Sequence, residues 1–145
     1  MTGQQVLRIE RAFDAPIAQV FAAWTSPEVL TRWLHADPEW STPVAEVDLR
    51  VGGTVRIVMR NPQTGTNWGA RGQYVVIEKP DRLAFTWVWD HDPQHEQMIE
   101  LEFSEREGTT TVLMINSRVP TEELRRDQEH GWRRCYENLD RLLNT

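Results

Sequence analysis

The end of this chain reads as a single long amphipathic helix, and everything before it must supply the surface on which that helix lies. Pro120-Thr121-Glu122-Glu123 carries the start signal, with Thr121 as the cap residue. At about 100° per residue, Leu124, Gln128, Gly131, Trp132, Cys135, Tyr136, Leu139, Leu142 and Leu143 fall in one sector. Arg126, Glu129, His130, Arg133, Glu137, Asp140 and Arg141 fall outside it. Such a stripe is stable only against an apolar partner. The stripe is also uneven. Its first half offers Gln128, Gly131 and Cys135, its second Leu139, Leu142 and Leu143. A glycine inside a helix costs roughly 1 kcal/mol relative to alanine, so Gly131 points to a place where a missing side chain leaves a void or lets an aromatic ring such as Trp132 approach.

The partner surface is a sheet. The run Gln5 to Phe13 alternates as a strand does, and Asp14-Ala15-Pro16 then signals a helix start with Asp14 as cap. Val20, Phe21 and Trp24 follow at helical spacing, and Ser26-Pro27-Glu28 opens a second short helix carrying Leu30, Trp33 and Leu34. From Thr42 onward the period becomes two. The predicted strands are 44–50, 54–60, 68–78, 82–89, 97–104 and 109–116, separated by Gly52-Gly53, Asn61-Pro62-Gln63-Thr64-Gly65, Lys79-Pro80-Asp81, the Asp90 to His95 stretch and Glu107-Gly108. Gly52 and Gly53 are both expected to take the positive φ of a tight hairpin. Leu83, Phe85, Trp87 and Trp89 share one strand face with Met59 and Ile99 on neighbouring strands, while Arg56, Arg60, Glu100 and Glu102 fall on the opposite parity. For the last strand the residues leave parity open, since Val112/Met114 and Leu113/Ile115 are all apolar. The order is β-α-α-β-β-β-β-β-β-α, an α+β fold with a curved antiparallel sheet around a terminal helix and one domain over residues 1–145.

Seven tryptophans, at 24, 33, 40, 68, 87, 89 and 132, are spread over several of these elements. Large rings either fill a core with few side chains or line a pocket for an apolar guest, and the uneven helix favours a pocket. With 39% hydrophobic and 26% charged residues the chain suits a soluble globular domain. A net charge of −6 argues against nucleic-acid partners. The lone Cys135 permits no internal disulfide, and no stretch has signal-peptide or membrane-spanning character, so a cytoplasmic protein without membrane insertion is expected.

Several strings carry a family resemblance: Phe13-Asp14-Ala15-Pro16 with Val20-Phe21 and Trp24; Thr25-Ser26-Pro27-Glu28 with Leu30 and Arg32-Trp33; Val47-Asp48-Leu49-Arg50-Val51-Gly52-Gly53; Gly72-Gln73-Tyr74; Arg82-Leu83-Ala84-Phe85-Thr86-Trp87; and Gly131-Trp132 before a Leu-rich helix end. In this order they resemble the activators of the heat-shock-protein-90 ATPase, C-terminal-domain type, within the START-like (SRPBCC) superfamily that includes the birch pollen allergen fold. The resemblance runs from about Leu7 to about Leu143. It implies a helix-grip fold with a cavity between sheet and last helix, and its spacing implies that Val112, Met114 and Asn116 point inward. Two positions depart from the pattern: Gln128 and Asn116 stand where members often carry histidines, so no role of those histidines carries over.

From parity, helical sector and, for Met114, what the resemblance implies, the expected cavity residues are Trp33, Met59, Tyr74, Phe85, Trp87, Trp89, Ile99, Met114, Gln128, Gly131, Trp132, Cys135 and Tyr136. Gln128 and Tyr136 are the candidates for orienting a polar end of a ligand, because buried amides and phenols need partners. The Asp90, His91, Asp92 and His95 cluster crowds into one turn and reads as a solvated loop, so no metal and no other cofactor is expected. His35 with Asp37 reads as a loop hydrogen bond before it reads as a catalytic pair. No nucleophile elbow or phosphate loop is present. The leading function is an intracellular binding protein, not an enzyme, whose partner is a small hydrophobic or aromatic, lipid-like or polyketide-like molecule. A heat-shock-protein-90 co-chaperone and a cyclase/aromatase-like enzyme are the alternatives.

Overall fold

In the computed structural model, which describes residues 4–144, the elements follow the expected order. They are β1 (Gln5–Phe13), α1 (Ile17–Thr25), α2 (Pro27–Trp33), β2 (Ser41–Val47), β3 (Thr54–Arg60), β4 (Asn67–Glu78), β5 (Arg82–Trp89), β6 (Gln97–Arg106), β7 (Thr109–Val119) and α3 (Glu122–Leu143). The strands form one antiparallel seven-stranded sheet in the order β1-β7-β6-β5-β4-β3-β2. Six are joined in hairpin succession, and the first closes onto the last, with Ile9 opposite Met114. The pair α1–α2 bridges from β1 at one edge to β2 at the other, and α3 lies across the concave face.

Local chemistry explains where the helices start. The Ser26 side chain caps α2 by accepting from the Val29 amide, with Pro27 in the first turn. Thr121 caps α3 by accepting from the Leu124 amide at 3.1 Å. Asp14 does not cap α1: the N-cap is Pro16, with no side-chain bond of its own. The free amide of Ile17 is instead met by the Glu105 carboxylate at 2.7 Å, and Asp14 accepts from the Thr109 hydroxyl at 3.3 Å. The start of α1 is therefore tied to the β6–β7 hairpin, a long-range device that a local pattern does not reveal.

The β2–β3 connection also differs from expectation. It is a loop over residues 48–53, not a two-residue turn, and only Gly52 has a positive φ, at 86°. Gly53 is required for a different reason: a Cβ there would sit 2.1 Å from the Asp48 carbonyl oxygen. The loop docks on β4 through bonds from the Gly52 amide to the Tyr74 carbonyl and from the Tyr74 amide to the Gly53 carbonyl.

The core is aromatic and closely packed beneath the second half of α3. Phe13, Trp24 and Trp33 surround Tyr136, with Trp33 nearly parallel to it at 16° and 6.2 Å. Trp24 meets Trp33 edge-on at 4.8 Å, and the Trp33 indole donates to the Ala23 carbonyl at 2.9 Å. Edge-to-face pairs of this kind add roughly 0.5–1.5 kcal/mol beyond the area they bury. Val112, Met114 and Asn116 are fully buried, which confirms the inward parity of the last strand. Asn138, absent from the expected inner sector of α3, is buried because its amide donates to the carbonyls of Trp33 and His35 and so fixes the end of α2 to α3.

One consequence is testable at Gly72, where an added Cβ would lie 1.8 Å from the backbone oxygen of Thr86 on the neighbouring strand. Backbone cannot move aside as a flexible side chain can, so Gly72→Ala is expected to cost about 1–3 kcal/mol. A drop in the urea midpoint with an unchanged slope is the expected readout.

A tryptophan-lined cavity as candidate functional site

The first half of α3 stands off the sheet and leaves a cavity of about 350 Å³, at the small end of the roughly 300–1,000 Å³ typical of small-molecule sites. Its walls come from three places. Met59 of β3, Trp68 of β4 and Trp87 and Trp89 of β5 form the sheet side, with His91 just beyond β5. Leu124, Asp127, Gln128, Gly131, Trp132 and Cys135 form the α3 side. Leu34, Ala36 and Trp40, from the segment after α2, close one end. Five of the seven tryptophans therefore line the cavity, while Trp24 and Trp33 belong to the core.

Gly131 is the reason space persists on the helix side. A Cβ at this position would meet nothing within 4 Å. Across from it, Trp87 contacts Trp89 edge-on at 5.4 Å and Trp132 at 5.7 Å, forming a bent aromatic wall. Trp87 is 2% exposed, and its indole nitrogen is buried without a hydrogen-bond partner. Trp68, 39% exposed, and the half-buried Trp40 and Trp89 stand toward the mouth. The His91 ring sits 5.4 Å from Trp68 and 5.9 Å from Trp89.

Behind the wall lies a closed cluster of three uncharged amides. Gln128 donates to Gln97 Oε1 at 2.8 Å and to Asn116 Oδ1 at 2.7 Å, and its own Oε1 accepts from Gln97 and from the Trp89 indole. Asn116 donates back to Gln97 and, at 3.4 Å, accepts from the Trp132 indole. Both donors and both acceptor positions of the Gln128 amide are thus used within the protein. Positions 116 and 128, where the resemblance leads one to expect histidines, are direct partners.

Of the thirteen expected cavity residues, Met59, Trp87, Trp89, Gln128, Gly131, Trp132 and Cys135 border the space. Trp33, Tyr74, Phe85, Ile99, Met114 and Tyr136 lie instead in the solid part of the core. They share the inward parity, but at their level the side chains of α1, α2 and the second half of α3 fill the gap. Tyr136 donates to the Met114 sulfur at 3.4 Å, and burial raises its phenol far above the ordinary range. Neither it nor the saturated Gln128 has a polar atom to offer a guest.

Leu34, Ala36, Trp40, Trp68, His91, Leu124 and Asp127 were not anticipated as lining residues. Some had a signal. Trp68 lies opposite Met59 in the β3–β4 register, and His91 continues the two-residue spacing of Trp87 and Trp89. Leu124 falls in the inner sector of α3, and Asp127 is one turn before Gly131. Trp40 and Ala36 follow a helix end without periodicity, so nothing local marks them.

Several titratable groups nearby are occupied elsewhere or perturbed toward inertness. Cys135 borders the cavity, yet burial pushes its thiol up to about 12, so it carries no thiolate at neutral pH. Asp90 is gripped by Arg56 through two bonds of 2.7 Å and by Arg71 at 3.1 Å, which holds its carboxyl below the usual range. This carboxylate rests over Gly69, whose Cβ would fall 2.2 Å from Asp90 Oδ2. Asp92 pairs with His95. Among the described residues no group of three or more histidine, cysteine or acidic side chains is gathered around a point that could hold a metal ion.

His35 is buried beside the cavity but not on its wall. The Thr42 hydroxyl spends its proton on the Leu34 carbonyl at 2.7 Å, so His35 Nδ1, 3.0 Å from that hydroxyl, must be the donor of the pair. Burial lowers the pKa of His35 below its ordinary value of 6.5, opposed by the Asp37 charge. Between the folded and unfolded pKa values the unfolded chain binds more protons, so stability is full above about pH 6.5 and falls as the pH drops below it. Urea midpoints measured from about pH 7.5 down to pH 5 are expected to show this decline, and His35→Gln is expected to remove it.

Comparison with known proteins agrees with the fold. Residues 14–144 match the sequence model of the family described as Activator of Hsp90 ATPase homolog 1-like protein. An uncharacterized protein of Schizosaccharomyces pombe is 26% identical over 112 residues, 77% of this chain, and the chain spans 29% of that protein's length. The crystal structure of a Chromobacterium violaceum protein superposes with a TM-score of 0.87 at 21% identity, covering 97% of this chain and 98% of the other. A Rhodobacter sphaeroides structure gives 0.82 at 28% identity, with 96% and 92% covered. No helix of the described residues is long and apolar enough to cross a membrane.

Proposed function

As the chain belongs to the Activator of Hsp90 ATPase homolog 1-like family, whose helix-grip fold sets a long helix across a curved sheet, we propose that it is a binding protein for a small hydrophobic or aromatic molecule held in the tryptophan-lined cavity. The observation that carries this reading is the vacancy at Gly131. The glycine weakens the helix by roughly 1 kcal/mol relative to alanine, and the space beside it is bounded by Trp87, Trp89 and Trp132. A domain selected only for stability would fill that space, because each unfilled contact in a packed interior forfeits dispersion energy.

Holding, as opposed to converting, a guest fits the side chains present. A general acid or base works best with a pKa near ambient pH and within reach of the substrate. The Cys135 thiol is pushed up to about 12, and the His35 ring is turned to Thr42. The amides of Gln97, Asn116 and Gln128 are bonded to one another. Such a cavity orients a molecule by shape and ring stacking.

The experiment is a small-molecule screen read on the indole N–H signals in two-dimensional NMR. Saturable shifts at Trp87, Trp89 and Trp132 are expected for apolar aromatic compounds. Gly131→Leu is expected to keep the fold, as judged by thermal unfolding, and to abolish those shifts; Gly131→Ala serves as the stability control and is expected to raise the melting temperature. Shifts of equal size in Gly131→Leu would place the guest elsewhere and defeat the reading.

A further inference from the structure

We propose that the cavity selects organic cations: an aromatic molecule bearing a quaternary or protonated nitrogen, with its ring system among the indoles and its charge at the mouth beside Asp127. This rests on the binding reading above and specifies the chemistry of the guest.

The argument starts from the polar atoms that line the space. The interior has no acceptor to offer a cationic nitrogen, because the Gln128 amide is saturated by Gln97, Asn116 and Trp89, and the unpartnered Trp87 indole N–H is a donor. A cationic group deep in the cavity would lose water and gain no partner. The charge of a cationic guest must therefore sit at the mouth. There the lining contains no lysine or arginine, and its one carboxylate is Asp127.

Asp127 is exposed and has no hydrogen-bond or ion-pair partner among the described residues. Its helix neighbours Glu122 and Glu129 are held by Arg125 and Arg133. On the sheet side Arg56 and Arg71 share the Asp90 carboxylate, and neither lines the cavity. The mouth therefore presents an unpaired negative charge beside indole faces. Indole is the best of the natural rings for attracting a cation to its face, and the cavity has five. The net charge of −6 adds a favourable field for a cation and an unfavourable one for a carboxylate.

The test compares three compounds that share one ring system and differ in charge: a naphthylmethyl-trimethylammonium salt, naphthylmethanol and naphthoate. Each is titrated by calorimetry and by indole N–H shifts at about pH 8, where histidine is neutral. The expected order is cation, then alcohol, then carboxylate, with the cation favoured over the alcohol by about tenfold, which corresponds to about 1.4 kcal/mol. Asp127→Asn is expected to abolish that preference, and added salt is expected to weaken only the cation. Binding of all three without this order, or a preference that survives in Asp127→Asn, would overturn the charge selection and leave the binding reading intact. If none of the three moves an indole signal, the binding reading fails and the selectivity falls with it.

Discussion

The bonded cluster of Gln97, Asn116 and Gln128 decides how the first half of α3 sits on the sheet. Each amide is buried, and each depends on the other two for partners. Breaking one bond there strands a polar group away from water, a penalty of roughly 1–3 kcal/mol. Any tilt of α3 toward or away from β6 and β7 therefore meets resistance on both sides. The Trp89 and Trp132 indoles are hydrogen-bonded to the same cluster, so the cavity walls inherit its position. Neutral amides do this without the desolvation cost of a charged pair.

At the other end of the helix the forces are different. Tyr136 and Leu139 are fully buried among Phe13, Trp24 and Trp33, and Asn138 is bonded to the end of α2. The helix is clamped by close aromatic packing in its second half and by directed hydrogen bonds in its first. The space between sheet and helix survives only where the second kind of attachment operates. That division explains why seven tryptophans separate into two in the core and five around the cavity.

The same division explains which parts of the site could be read from the sequence. Met59, Trp87, Trp89, Gln128, Gly131, Trp132 and Cys135 follow from parity and helical sector, and all seven border the space. Tyr74, Phe85, Ile99, Met114, Trp33 and Tyr136 satisfy the same rules and are core. Periodicity reports which way a side chain points, but not how far away the opposing layer is. Trp40 and Ala36 lie in an aperiodic segment and are brought to the cavity by the path from α2 to β2. Asp127 counts as a solvated helix charge until the mouth is located around it.

The sequence by itself determined the order of elements, the antiparallel sheet, the inward faces of β3, β5 and β6, and the two-part character of α3. These are properties of local periodicity and of turn and capping residues, which act within a few positions. Tertiary structure alone decided that Asp14 leaves the α1 cap to Pro16 while Glu105 meets the Ile17 amide, that Gly53 is required by the Asp48 carbonyl, and that Gln128 spends its amide on Asn116 and Gln97. Each of these joins residues far apart in the chain or fits an atom into a gap of ångström size. Such distances are set when the layers pack, by excluded volume and hydrogen-bond geometry, and no spacing along a sequence encodes them.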